Sequence, residues 1–348
     1  MILAAITTCR RDPAMVERAV KSVIAQTYTD WNLVVVDDSP NDYEFREDVR
    51  KMVEGYAAQD SRIRYVAHDK NYGVSKARNT ALEIAENTYE GGGHYEFIAY
   101  LDDDDEWLPE KLAVQTAKFN ECDDNTALVY CGFYLWDDVK NTCREVKKAF
   151  AGTDIRDELM RYNAVGSPSC VLVRTDYLRE TGGFDTELAS GIEDWDMWMR
   201  VTQKYDAAYV DMPLVNYHLG HTQREQPADK AAADAARVRK SIRETCHILE
   251  KNREYFAKYK YAHWIRLSGL AVSYRQNNEP AKSFRTFLKA VSLQPLRVLG
   301  NIRILMNILF PSRLIDWWKI KGRLQKLLPE RVYWQVSSNY RKIMRKFF

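Results

Sequence analysis

The sequence predicts an α/β protein: an open, mostly parallel sheet over residues 1–222, followed by an all-helical region over 223–348. Two observations predict it. Short apolar runs alternate with amphipathic segments through the first 120 residues, as repeated βαβ units do. From about Gln223 the strand-like runs stop, and "KAAADAARVRKSIRETCHILEKNREYFAKY" keeps helical spacing throughout. The expected boundary therefore lies near 222–228.

The elements follow in order. "ILAAIT" (2–7) is a short apolar strand. "PAMVERAVKSVIAQ" (13–26) has helical spacing, with Pro13 in its first turn and Asp12 as its cap. "NLVVVDD" (32–38) is a β-branched strand that ends in acids. A helix near 43–58, the strand "RIRYVAH" (62–68) and the helix "GVSKARNTALEIAE" (73–86) come next, and a strand at 97–101 closes this half. Farther on, "TALVYCGFYLWD" (126–137) and "SCVLVRT" (169–175) read as strands and "EDWDMWMRVTQKY" (193–205) as a helix. "AAYVDMPLVNYH" (207–218) reads as a strand pair around Pro213. Three strands end in polar or acidic residues at their carboxyl ends, where open α/β sheets bind ligands.

"FIAYLDDDDEWLPEKL" (97–112) raises a chemical question. An apolar strand runs into Asp102, Asp103, Asp104 and Asp105, four like charges whose repulsion costs stability. One or two acids would serve the helix that Pro109 opens. Four imply a positive partner, and a divalent cation with oxygen ligands is expected. The run is not an EF-hand, because the loop glycine and the spaced ligands are missing. "TTCRRD" (7–12) has no glycine, and the chain holds no GxxxxGK[ST], so dinucleotide dehydrogenases and P-loop kinases are excluded.

The totals of 51 Lys+Arg and 49 Asp+Glu point to no nucleic-acid partner, but the charge is uneven. From Arg297 onward twelve Lys/Arg face only Asp316 and Glu330, so the tail is basic and the body acidic. The six cysteines form no CxxC pair and no metal-ligand spacing, so reduced thiols in a cytoplasmic chain are expected. Neither a secretory leader nor a membrane span is expected.

In the helical region, Leu267, Leu270, Ala271, Tyr274, Ser283, Phe287, Ala290 and Pro295 fit one tetratricopeptide-like helix pair over 264–297; any amphipathic hairpin turning at "NNEP" (277–280) is the alternative. Over 297–310, one helical face carries Val298, Leu299, Ile302, Leu305, Met306, Leu309 and Phe310. Arg297, Asn301, Arg303 and Asn307 lie opposite, interrupted by Ile304 and Ile308. With Trp317, Trp318 and Trp334 among the following basic residues, the expected partner is an anionic membrane at its cytoplasmic face; domain packing is the alternative.

Four segments together resemble the family-2 glycosyltransferases of the GT-A fold: "AAITTCRRDPAMVERAVKSVIAQTYTDWNLVVVDDSP", "HDKNYGVSKARNTALEIA", "FIAYLDDDDEWLPEKL" and "TGGFDTELASGIEDWDMWMR". They occur in the family's order over about residues 1–222. The resemblance implies a Rossmann-like nucleotide-diphospho-sugar transferase sheet, a nucleotide-sugar donor (UDP-sugar favoured over GDP-sugar) and Mn²⁺ or Mg²⁺ as cofactor. It implies that Thr7, Thr8 and Cys9, with Asp37 and Asp38, hold the nucleoside, Asp38 contacting the base. Where the family more often has Pro-Thr-Tyr-Asn-like residues, this chain has "TTCR". Arg78 and Asn79, at a helix start, are implied to face the diphosphate.

The family's DxD motif maps on Asp102 and Asp104. Asp104, Asp102 and His218 are the implied metal ligands, His218 alternatively a diphosphate contact, with Asp102 or Asp103 facing ribose or sugar. Asp194, beside Glu193, is the implied base for the acceptor hydroxyl, and adjacent carboxylates push one pKa upward. Trp198 is expected to wall the pocket. The implied function is inverting transfer to a hydroxyl of a glycan or lipid-linked acceptor in cell-surface polysaccharide assembly. The alternative is a catalytically degenerate sugar-binding domain on a helical-repeat scaffold.

Overall fold

The computed structural model describes residues 1–86, 93–152, 155–188, 191–219 and 229–309. Their strands are β1 (Ile2–Thr8), β2 (Trp31–Asp37), β3 (Ile63–Ala67), β4 (Phe97–Asp102), β5 (Glu106–Trp107), β6 (Thr126–Asp137), β7 (Thr142–Lys147), β8 (Val171–Arg174) and β9 (Asp206–Leu219). The helices are α1 (Pro13–Ile24), α2 (Arg46–Ala57), α3 (Val74–Glu86), α4 (Lys111–Asn120), α5 (Ile155–Arg161), α6 (Thr175–Glu180) and α7 (Glu193–Lys204). They continue as α8 (Lys230–Lys251), α9 (Arg253–Lys258), α10 (Lys260–Gln276), α11 (Pro280–Leu293) and α12 (Val298–Leu309).

One sheet runs in the order β3-β2-β1-β4-β8-β6-β9-β5, with β7 added to β6. Its first four strands are parallel, and β8 joins β4 antiparallel. Both faces are covered. Leu3, Ala5, Val34 and Val36 point to one core, while Ile2, Ala4, Ile6, Leu33 and Val35 point to the other. Strands buried on both faces read as continuous apolar runs, which is why β1, β2 and β4 stand out in the sequence. Each such fully buried Val, Leu or Ile contributes about 1.5–3 kcal/mol. Helix α1 buries Val16, Ala19, Val20 and Val23, and the Asp12 carboxylate caps it by accepting the Ala14 N–H at 2.8 Å.

Because β1 pairs β2 on one side and β4 on the other, a crevice opens at their carboxyl ends. The register sets Thr7 beside Asp102 and Thr8 beside Asp37. The expected strand pair at 207–218 is instead the single strand β9. It absorbs Pro213 at a register shift opposite Gly132, where the missing N–H costs no ladder bond. A Cβ at Gly132 would meet the Lys147 carbonyl oxygen at 2.5 Å, so β7 can cross there only over glycine.

The chain divides into two units, one of them the described residues of 1–228 with Ile248–Ala262. The other is Asp229–His247 with the described residues from His263 onward. The expected break near 222–228 thus leaves out a segment that returns to the sheet unit. Ile248, Phe256 and Ala262 are buried in its core, and Lys251 and Asn252 both reach Asp196 of α7 at 3.1 Å. Ile248→Ala is expected to lower the unfolding free energy by about 2 kcal/mol or more, read from urea denaturation. An unchanged midpoint would detach this segment from the core.

In the second unit, α10 and α11 form a hairpin turning at Asn278, whose φ of 60° is left-handed. Leu267, Leu270, Ala271, Ser283, Phe287 and Ala290 are buried, and the Ser283 hydroxyl donates to the Ala271 carbonyl at 2.7 Å. On α12 Asn301, Ile304 and Ile308 are buried, while Val298, Ile302 and Leu309 are exposed. The Asn301 carbonyl oxygen accepts the Trp264 indole N–H at 2.9 Å, which explains the buried amide. Phe310, Trp317, Trp318, Trp334 and most of the basic tail lie outside the described residues. Among the described residues no helix is long and apolar enough to cross a membrane.

Candidate active site

A pocket of about 570 Å³ opens at the carboxyl ends of β1 and β4. Its first wall is the end of β1, where Thr7, Thr8 and Cys9 line it. Arg10 then takes a left-handed φ of 51°, and its N–H donates to the Ser39 hydroxyl at 2.9 Å. That bend sends Arg11 into the pocket.

Asp38 also lines the wall, but its carboxylate is heavily engaged. It accepts the N–H groups of Tyr72 (2.8 Å) and Gly73 (2.7 Å) and the Asn71 amide (3.0 Å), and lies 2.7 Å from His68 Nδ1. Asp38 therefore orders loop 68–73 and presents Asn71 to the pocket. Asp37 and Asn79, both expected at the ligand, are not brought to it. Asp37 accepts the Ser39 N–H at 2.8 Å and the Tyr65 hydroxyl at 2.6 Å. Asn79 clamps the Phe184 backbone through two 2.8 Å bonds.

Burial sorts the four aspartates by parity. Asp103 and Asp105 are buried, whereas Asp102 and Asp104 keep 26% and 27% side-chain exposure at the pocket. Asp105 accepts the Ser169 hydroxyl at 2.6 Å and the His218 N–H at 3.3 Å. Burial, then Asp102 and Asp104, hold its carboxyl well above the usual range. Asp103 pairs with Arg11 at 2.7 Å yet is pushed up to about 6, because burial outweighs the arginine. Arg11 also reaches Asp104 at 3.1 Å, and Arg18 donates to the Asp104 carbonyl at 2.5 Å.

The turn "GSPSC" braces this run. The Ser167 hydroxyl donates to Asp102 at 2.9 Å, and the Asp102 N–H donates to Ser169 Oγ at 3.0 Å. Arg78 holds the other Asp102 oxygen at 2.8 Å and Glu193 at 2.7 Å, fully buried between them with its guanidinium over the Phe184 ring. Glu193 is saturated, since it also accepts the N–H groups of Gly191 (2.6 Å) and Ile192 (3.0 Å).

Asp194, one residue on, faces the pocket and is pushed up to about 7, first by burial and then by Glu193. The Asn163 amide donates to its Oδ2 at 3.1 Å. Asp196 is instead fully buried on Arg200, Lys251 and Asn252. Trp198 belongs to the core rather than the pocket wall: it is completely buried.

His218 and Tyr217 close the far side on β9. His218 is turned on two acids, with Nδ1 2.6 Å from Asp138 and Nε2 3.7 Å from Glu106. Burial and the surrounding acids keep the Tyr217 phenol protonated. Sequence reasoning passed over Arg11, Asn71, Asn163, Ser167 and Tyr217. Only the Ser-Pro-Ser turn left a local signal.

Among the described residues no group of three or more His, Cys, Asp or Glu converges as a ready-made metal site. The donor set still suits a hard cation. Mg²⁺-like ions are commonly bound by one or two carboxylates plus substrate phosphates, and Asp102 and Asp104 are two partly exposed carboxylates on one pocket.

A mixed sheet whose first four strands are parallel, a carboxyl-end pocket and a partly exposed acid pair define a GT-A nucleotide-diphospho-sugar transferase fold. The chain belongs to glycosyl transferase family 2, whose model matches residues 4–182. An uncharacterised glycosyltransferase of Methanocaldococcus jannaschii is 24% identical over 221 residues, 63% of this chain and 71% of that protein. The Escherichia coli UDP-Glc:alpha-D-GlcNAc-diphosphoundecaprenol beta-1,3-glucosyltransferase WfgD is 30% identical over 161 residues, 46% of this chain and 55% of that one. Against the Sinorhizobium fredii protein y4gI the match spans 24% of the relative's length. The crystal structure of S. aureus TarS 1–349 with UDP-GlcNAc superposes with a TM-score of 0.57 at 17% identity, covering 85% of this chain and 82% of that one.

Proposed function

We propose that this glycosyltransferase is inverting and metal-dependent, and moves a sugar from a UDP-sugar to a hydroxyl of a lipid-linked or membrane-borne glycan. One observation carries the reading: a carboxyl pushed up to about 7, Asp194, shares a pocket with the partly exposed acids Asp102 and Asp104. A base with a pKa near the working pH combines availability with proton affinity. Asp194 takes the acceptor hydroxyl proton as that oxygen bonds to the anomeric carbon. The carbon–phosphate oxygen bond breaks on the opposite side, and its electron pair leaves with the nucleotide.

The chain's other residues position these groups. Asn163 orients Asp194, while Ser167 and Arg78 hold Asp102. The end of β1 and Asn71 are suited to the nucleoside, and His218 to the diphosphate. Asp104 and Asp102 would hold Mn²⁺ or Mg²⁺, which would supply positive charge against the charge that develops on the leaving nucleotide. The donor and acceptor in the name of WfgD support UDP and a lipid-linked glycan. Exposed Val298, Ile302 and Leu309, with the basic residues from Arg297 onward, support peripheral contact with an anionic membrane at its cytoplasmic face.

Calorimetric titration of UDP and GDP, with and without Mn²⁺, tests this reading. UDP is expected to bind in the presence of Mn²⁺, and Asp104→Asn to weaken that binding by about tenfold or more, roughly 1.4 kcal/mol. A folded protein that binds neither nucleotide would favour a degenerate sugar-binding domain.

A further inference from the structure

Each acid suited to the cation already carries an arginine, and the two arginines differ. Arg78 on Asp102 is fully buried, locked between two carboxylates and packed over Phe184. Both its terminal nitrogens are already engaged on carboxylates. Arg11 on Asp104 keeps 23% side-chain exposure and projects from the loop bent at Arg10. Its guanidinium spans Asp103 at 2.7 Å and Asp104 at 3.1 Å while lining the pocket. Arg18 meanwhile pins the Asp104 carbonyl at 2.5 Å, so the main chain stays put while the carboxylate is able to change partner.

A guanidinium and a divalent cation repel each other and compete for the Asp104 carboxylate. A diphosphate in the pocket offers Arg11 an alternative anion that it can grip with two parallel N–H bonds. We infer that Arg11 is the built-in counter-ion of the Asp run in the donor-free protein, and that a nucleoside diphosphate draws it off Asp104, so that the divalent cation binds well only together with the donor. This inference rests on the metal-dependent nucleotide-sugar reading above. Binding of cation and nucleotide is then positively coupled, each tightening the other by the same factor.

The test uses the full chain as wild type, Arg11→Gln and Arg11→Lys, with calorimetry of MnCl₂ alone, UDP alone, and MnCl₂ at saturating UDP. In the wild type, UDP is expected to tighten Mn²⁺ binding by about tenfold or more. Arg11→Gln is expected to bind Mn²⁺ alone about tenfold more tightly than wild type, to bind metal-free UDP more weakly, and so to show weaker coupling than wild type, keeping only the part that phosphate ligation of the cation itself supplies. Arg11→Lys, which keeps the charge without the fork, should fall between them, and it serves as the test should the glutamine variant not fold. Wild-type coupling that persists unchanged in the folded variants, with Mn²⁺ affinity no tighter than wild type, overturns the role of Arg11 and leaves the nucleotide-sugar reading intact. Wild type that binds neither UDP nor Mn²⁺ in any combination overturns that reading and the inference with it.

Discussion

Asp194→Asn is expected to reduce kcat by about 10²- to 10⁴-fold while leaving UDP affinity within a few-fold of wild type. The amide matches the carboxylate in shape, and its single oxygen can accept from one of the two donors, the Asn163 amide or the Trp195 N–H, while the proton acceptor is lost. The pH dependence follows from the same environment. With its pKa near 7, Asp194 loses the basic form as pH falls, so the wild-type rate should drop about tenfold per pH unit well below that value. Its stability effect has the opposite sense. A carboxyl raised from about 3.9 in the unfolded chain to about 7 stabilises the fold below the unfolded value, and that contribution is lost as pH rises through 7. Asp194→Asn should therefore raise Tm at pH 8 and leave it nearly unchanged at pH 4. Paired kcat–pH profiles and thermal melts check both halves. A variant that keeps more than about a tenth of the wild-type kcat removes Asp194 from the role of base.

How far the sequence could be read depended on whether the deciding contacts were local. Strands β1, β2 and β4 are buried on both faces and announce themselves as apolar runs. Strand β7 has all six residues exposed and carries no alternation to detect. That Asp102, Asp104 and Asp194 meet at one pocket was legible because each sits in a short motif at an element end. Asp37 and Asn79 were read with their neighbours Asp38 and Arg78, but their side chains are engaged on Tyr65 and the Phe184 backbone instead. Parity along the Asp run emerged only in three dimensions, since Asp103 is held by Arg11 from 92 residues away and Asp105 by Ser169 from 64. The segment Ile248–Ala262 was hidden for a similar reason. Its spacing is helical wherever it packs, and only the meeting with Asp196 shows which unit it joins.

Arg78→Gln is expected to cost about 3–5 kcal/mol of unfolding free energy and to abolish most activity. Removing one member of a buried ion network strands the others, here Glu193 entirely and Asp102 in part, without a compensating charge. Glu193 precedes the proposed base Asp194, and Asp102 belongs to the proposed cation site, so damage should reach both ends of the pocket. The double variant Arg78→Met/Glu193→Gln separates the effects, because it removes the stranded charge as well as the arginine. It should recover a good part of the stability lost by Arg78→Gln while kcat stays low, since nothing then holds Asp102 opposite Ser167. Nucleotide binding decides what Arg78 does. Its Nε–H is buried and has no acceptor among the described residues. If UDP affinity in the refolded double variant stays within about tenfold of wild type, Arg78 acts by positioning the two acids. If UDP binding collapses while the fold is restored, the arginine grips the diphosphate directly, and the ion triad is how the empty pocket stores that charge.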